Sequence, residues 1–248
     1  MKLEWYHPEP PFDPRAEGLL PGVGGFPPSD RHLFLAGYTA LCHSLPAGGR
    51  ALEICGGFGK LAAALAKAVP DAEVIGLDLY AASGSEVDAA LAECPGLSYV
   101  AGDAFDLGGY PEGHFDLVFG QAALHHLAHD IDGLRDAVLR VIKPGGKLVF
   151  VFEPLGHNPW IAAIRAWRFA RAELGDESNL FAHQFERLGQ GFSRCEVQSF
   201  NLLGYPMKAA SDRFGAVAEV VQTLDHRLMR WFPGLHRMAA NCNLVFTK

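Results

Sequence analysis

Residues 51–59 read ALEICGGFG, a short apolar run followed by three glycines, Gly56, Gly57 and Gly59. A run of that length bounded by glycine reads as a buried strand. Glycines directly after it let the backbone turn tightly and approach a ligand that a β-carbon would hold off. Outward from this stretch, strand-like runs recur at EVIGLD (73–78), LSYVAG (97–102), FDLVFGQ (115–121) and KLVFVFE (147–153), and helical patterns separate most of them. Such alternation predicts parallel pairing, because parallel neighbours need a long crossover, with helices on both faces of the sheet. The expected class is α/β, a doubly wound sheet.

The flanks read differently. Residues 1–28 are rich in Pro and Gly (PEPPFDP, PGVGGFPP) and predict an irregular N-terminal arm or lid. A helix follows, with Ser29 or Asp30 as its cap and Leu33, Phe34, Gly37, Leu41 and Leu45 at helical spacing, until Pro46, Gly48 and Gly49 end it. Beyond residue 153 the pattern predicts helical stretches near 158–172 and 178–190, a strand near 194–203, a helical stretch near 208–231 and a closing strand in NLVFTK.

With 248 residues and 49% apolar content, the chain has enough material for one sizeable core. A net charge of -7 with scattered Lys and Arg argues against a nucleic-acid-binding surface, which needs clustered cations to displace counterions. Arg165, Arg168 and Arg171 beside Trp160, Trp167 and Phe169 predict a helix with one charged face. The five cysteines are odd in number and form no CxxC pair, which fits reduced thiols and suggests neither disulfide nor zinc. The first residues lack the apolar core of a signal peptide, and no apolar stretch is long enough to span a bilayer. The expectation is a cytoplasmic protein without membrane insertion.

In an open α/β sheet, ligands bind beyond the carboxyl ends of the strands, so the residues that end each strand carry the chemistry. The second strand ends in Asp78, nineteen residues after Gly59, where a carboxylate accepts both hydroxyls of a ribose. The third ends in Asp103, placed for an adenine amine, and the fourth at Gln121, ahead of His125 and His126. The glycine loop alone leaves two cofactors open, because Gly57, Gly59 and Ala62 with Asp78 also satisfy a GxGxxA dinucleotide fingerprint. Glu53 separates them: a negative charge just ahead of the glycines repels a pyrophosphate and attracts an amino-acid ammonium.

Taken in order, LEICGGFG, VIGLD, AGDA, FDLVFGQAALHHL and LRDAVLRVIKPGGKLVFVFEP resemble the motifs of class I S-adenosylmethionine-dependent methyltransferases over roughly residues 45–155. The HHL and KPGG segments are most similar to the branch containing the ubiquinone and menaquinone C-methyltransferases. The resemblance implies a Rossmann-like, seven-stranded sheet with an antiparallel last strand. It implies a methyltransferase domain over 29–248 with a helical substrate cap inserted at about 156–192. It implies S-adenosylmethionine as cofactor: Glu53 on the methionine ammonium; Gly56, Gly57 and Gly59 along the methionine and ribose; Asp78 and Leu79 at the ribose; Asp103 and Ala104 at the adenine; Gln121 closing the floor. One departure stands out, since Cys55 occupies the position of the usual glycine two residues after the acid.

The acceptor implied is a small molecule. His125 or His126 is the candidate general base, with Glu153 next, and Pro154–Trp160 lining the acceptor pocket under a cover from the arm and from Trp160, Trp167 and Trp231. His125, His126, His129 and Asp130 could also be read as metal ligands, but no spaced second set accompanies them, and no metal is assigned. Asp116 begins its strand and reads as structural, and Lys143–Gly146 reads as a turn. Gly22, Gly24 and Gly25 follow no strand and are not taken as a phosphate loop. Two other classes remain open: an NAD-dependent oxidoreductase, and a protein of methyltransferase fold with a cyclase or regulatory role.

Overall fold

The computed structural model describes residues 2–20, 27–80, 83–172 and 179–248. The glycines at 22, 24 and 25, and residues 173–178 of the expected cap, lie outside them.

The expected strands form at Arg50–Ile54 (β2), Glu73–Asp78 (β3), Leu97–Ala101 (β4), Phe115–Gln121 (β5), Ile142–Pro154 (β6), Arg194–Phe200 (β7) and Asn241–Thr247 (β8). To these the arm adds β1, Leu3–Tyr6, giving an eight-stranded sheet in the order β1-β7-β8-β6-β5-β2-β3-β4. β8 runs antiparallel to both neighbours, β6 and β7, and every other pair is parallel. The doubly wound class and antiparallel last strand hold, while the count of seven is corrected by the arm. Among the described residues of 1–28, two stretches are regular. Leu3–Tyr6 pairs with Cys195–Gln198, and Pro14–Leu19 forms a helix, α1, whose N-cap Asp13 accepts the Arg15 amide. The cause is a short apolar–polar alternation, LEWY, hidden among prolines: Leu3 and Trp5 pack onto the core while the Tyr6 hydroxyl donates to Glu196.

Alternation along the strands divides the core in two. Ala51, Leu117, Phe119, Val149 and Val151 face α1, α2 (Arg31–Ser44), α3 (Lys60–Ala68) and α4 (Ser85–Glu93). Leu52, Ile54, Val118, Leu148 and Phe150 face α5 (Leu124–Leu127), α6 (Ile131–Val141) and α8 (Ala182–Leu188). Helix α2 comes close to β6 because Gly37 has no β-carbon; one would lie 2.6 Å from Val151 Cγ1.

Neither Ser29 nor Asp30 caps α2 with its side chain. Both are drawn into a polar lock with the segment after β7: Ser29 donates to Asp212, and Asp30 accepts from Asn201 and Lys208. A turn of 3-10 helix at Pro28–Asp30 leads into α2 instead.

Within 156–192 the two described helices pack in different places. Helix α7, Pro159–Ala172, stands at the carboxyl edge of β6, but α8 buries Ala182, Phe185 and Leu188 in the α6-side core and pairs Arg187 with Asp132. The helical stretch expected at 208–231 is two helices, α9 (Lys208–Arg213) and α10 (Gly215–Trp231), broken at Phe214–Gly215. The turn at Lys143–Gly146 is an excursion inside β6: Ile142 pairs with Phe115 and Lys147 with Leu117, so the intervening residues loop out between two paired positions. Asp116 is structural, accepting the Arg50 amide and the Lys143 ammonium.

Candidate active site

The glycine loop is built from the strand upward. Along β2, Ala51 and Glu53 share a face, which turns the Glu53 carboxylate toward the start of α3. There it is buried and accepts the Ala62 amide at 3.1 Å. Gly56 leaves room for it, since a β-carbon there would sit 3.0 Å from Glu53 Oε2. Burial, with the Asp78 carboxylate adding to it, pushes the Glu53 carboxyl up to about 8 against the pull of the Ala62 amide.

Cys55, Gly57 and Gly59 all take left-handed backbone, with φ of 54°, 52° and 69°. For the glycines this is free, whereas Cys55 holds it as an L-residue, so the cysteine reproduces the turn that the usual glycine would make. Its thiol is pushed up to about 12, chiefly by burial and further by surrounding carboxylates, and so stays protonated. A β-carbon on Gly57 would meet nothing within 4 Å, because the position opens on the crevice. One on Gly59 would come 2.2 Å from Tyr99 Cε1, and the Tyr99 hydroxyl donates to the Gly59 carbonyl.

Asp78 at the tip of β3 accepts the Gly57 amide through Oδ2 at 2.9 Å, locking the second strand end to the loop. Leu79 beside it is exposed. At the tip of β4, the Gly102 amide donates to the Asp78 carbonyl, Asp103 accepts the Phe105 amide at 2.9 Å, and Ala104 is buried beneath. Gln121 ends β5, where its Oε1 accepts the Tyr38 hydroxyl at 2.7 Å. Glu53, Gly56, Gly57, Gly59, Asp78, Asp103 and Gln121 thus line one edge of the sheet, as the strand-end argument required.

The catalytic candidates separate. A bulge in β6 reverses the alternation, since Phe150 pairs with Leu244 and Glu153 with Cys242, leaving three residue steps against two. Phe152 takes φ 64° and turns to stack near Phe34, with its amide bound by Asn243 Oδ1. Glu153 is thereby aimed beneath α5. It is fully buried and accepts the amides of Ala123, Leu124 and His125 at 2.8, 2.9 and 3.2 Å, with His125 Nδ1 at 2.9 Å. Both Glu153 oxygens are thus engaged in anchoring the turn. His125 is buried against it, and His126 is exposed, with ring centroids 4.1 Å apart. Among the described residues no cluster of three metal-ligating side chains occurs.

Sequence reading missed Tyr38 and Tyr99. Tyr38 sits in an apolar helical stripe and is buried, so its hydroxyl demanded a partner; that demand was the available signal. Tyr99 carries no local signal, since it acts across the sheet.

Residues 52–150 match the family described as a methyltransferase domain. The match takes in about two fifths of the chain. The chain is 35% identical over 151 residues to a phthiotriol/phenolphthiotriol dimycocerosates methyltransferase of Mycobacterium leprae, covering 60% of this chain and 52% of that protein. It is 34% identical over 123 residues to the ubiquinone/menaquinone biosynthesis C-methyltransferase UbiE of Ectopseudomonas mendocina, covering 47% and 46%. The chain thus spans about half the length of these curated relatives. In fold it is similar to Haemonchus contortus phosphoethanolamine N-methyltransferase 2 in complex with S-adenosyl-L-methionine (TM-score 0.56, 19% identity, 86% of this chain and 51% of that one). It is also similar to an S-adenosylmethionine dependent methyltransferase from Mesorhizobium loti (TM-score 0.54, 22% identity, 86% and 98%).

Proposed function

We propose that this protein is an S-adenosylmethionine-dependent methyltransferase that acts on a small-molecule acceptor. The observation that carries the reading is Glu53, a buried carboxylate that accepts the Ala62 amide beneath an open glycine cradle. Such a group fits a cationic ligand: an ammonium above it would offset the burial that now holds its proton on. Asp78, with Oδ2 on Gly57, presents its remaining lone pairs to a diol.

The bound sulfonium supplies an activated methyl group, so transfer is an in-line displacement that needs no covalent work from the chain. What the residues contribute is position, and well-oriented groups account for roughly 7–11 kcal/mol of such barriers. Glu153 fixes the turn that carries His125 and His126 at the carboxyl edge of β5. His126, exposed at the mouth, takes the proton from the acceptor, and His125 and Glu153 position it. No described helix is long and apolar enough to cross a membrane. The five free thiols fit a reducing compartment, the cytoplasm.

Calorimetric titration with S-adenosylmethionine and with NADH tests the cofactor, and formation of S-adenosylhomocysteine across an acceptor panel tests transfer. Tight binding of NADH alone overturns the reading. Cofactor binding with no turnover on any acceptor assigns the chain a non-methylating role.

A further inference from the structure

The bulge at the end of β6 exchanges two side chains across the sheet. Val149 and Val151 face α2, and by strict alternation Glu153 would follow them. Instead Phe152 takes left-handed backbone, φ 64°, a conformation unfavourable for a bulky L-residue, and Glu153 goes beneath α5. The Phe152 ring arrives on the α2 face, with its centroid 5.1 Å from that of Phe34 and its plane tilted by 33°. It is only half-buried there. Two contacts to neighbouring strands hold the exchange in place: Asn243 Oδ1 accepts the Phe152 amide, and the Ala122 amide donates to the Val151 carbonyl.

The exchange completes a row. Glu53 shares a face with Ala51, and Gln121 shares one with Leu117 and Phe119; that face packs on α2 and α3, and Tyr38 of α2 reaches Gln121. Because β6, β5 and β2 are consecutive in the sheet, Phe152, Gln121 and Glu53 stand at three adjacent strand ends on one face, about 10 Å from the first strand to the third. Gln121 pairs with Val151, so the ring stands one residue beyond the last paired position of β5 and β6. A molecule placed beside a cofactor whose ammonium is held at Glu53 therefore meets this ring.

Charge narrows what that molecule can be. The single carboxylate of β6, Glu153, is engaged below α5, and α2 carries none. Asp30, just ahead of α2, is held by Lys208 and Asn201. A cation on the ring would lose hydration with no carboxylate to offset the loss, whereas a flat apolar group gains by stacking.

We propose that Phe152 determines acceptor specificity: its ring, backed by Phe34, is the wall on which a neutral, flat, unsaturated acceptor stacks. This rests on the methyltransferase reading and names the acceptor class within it.

Calorimetric titration of the protein loaded with S-adenosylhomocysteine tests it, with 2-naphthol as the neutral flat probe and choline as the cationic one. 2-Naphthol should bind at millimolar concentration or below, and choline about tenfold more weakly or less. Phe152→Asn removes the ring while tolerating the left-handed backbone, and should weaken 2-naphthol binding about tenfold with S-adenosylhomocysteine binding held within about twofold. Phe152→Tyr, which keeps the ring, should bind 2-naphthol as the parent does. Should Phe152→Asn fail to fold, Phe152→Leu keeps an apolar contact with Phe34 without a π face and should lose about fivefold. Absence of 2-naphthol binding at millimolar concentration, choline binding of equal strength, or undiminished affinity in the ring-less variants overturns the proposal; with S-adenosylhomocysteine still bound, the methyltransferase reading stands. A protein that does not bind S-adenosylhomocysteine overturns both.

Discussion

His125 Nδ1 lies 2.9 Å from Glu153 Oε2, and both side chains are buried beneath the turn that follows β5. The pair ties two adjacent strand ends of the parallel sheet into one rigid mouth. Glu153→Gln keeps the shape but sets an amide nitrogen where an oxygen met donors, leaving at least one backbone amide without an acceptor. Stability should drop by roughly 1–3 kcal/mol in urea denaturation, and kcat should fall while the cofactor Kd holds. Unchanged stability would show that Glu153 is not the anchor of this turn.

Gly57 and Gly59 share a left-handed conformation but differ in surroundings, so alanine should separate binding from folding. Gly57→Ala places its β-carbon in open space and should destabilise by only about 1–2 kcal/mol, the backbone penalty, while obstructing the cofactor. Gly59→Ala drives its β-carbon into the Tyr99 ring and should add about 1–3 kcal/mol of overpacking. Melting curves alongside calorimetry would show the contrast, and equal loss of cofactor affinity at equal stability would contradict it.

On the proposed reading, Glu53 links cofactor binding to protons. Its carboxyl, raised to about 8 by burial, is mostly protonated at neutral pH, so an incoming ammonium should expel a proton. Calorimetry in buffers of differing ionisation heat should detect this release, and Glu53→Gln should abolish it and weaken binding. The sign for folding follows from a native value above the unfolded one. The group favours the folded state at low pH and loses that contribution as pH rises toward 8, so Glu53→Gln should stabilise the ligand-free protein in mild alkali.

His7 sets an acid limit. Burial lowers its imidazole to about 4, while its ring lies against Phe200 and His226 and Nδ1–H donates to the Ser199 carbonyl. A depressed native value means stability present above about 6.5 and lost as pH falls toward 4, on the order of 2–3 kcal/mol for this group. In His7→Phe the fall across that window should be shallower, whatever the variant's stability at pH 8. An identical slope would move the acid sensitivity elsewhere.

The parallel core was legible because most of its strands are apolar runs that end in a polar residue at the carboxyl edge. Asp78, Asp103 and Gln121 followed from that rule alone. What escaped depends on interactions between distant residues. β1 is four residues in a proline-rich stretch, and only its partner β7 makes it a strand. The bulge at Phe152 aims Glu153 at the underside of α5. No local pattern announces it, since it is stabilised by Asn243 from β8. The outward indoles of α7, Trp160 and Trp167, escaped because the periodicity of a helix reveals two faces but not which one turns inward, and here a buried arginine, Arg165, decided it.

The pairing of Leu3 with Cys195 also bears on how the chain reaches its native state. A strand near the start waits for one nearly two hundred positions later, so the outer edge of the sheet is an interaction of very high contact order. The nucleotide-type half, β2 to β6, can assemble from local crossovers as it emerges from the ribosome, whereas β1 stays unpaired until β7 has been made. During that interval β1 and the edge of β6 that β8 will cover both lack a partner, and the nascent protein carries its greatest exposure to mispairing.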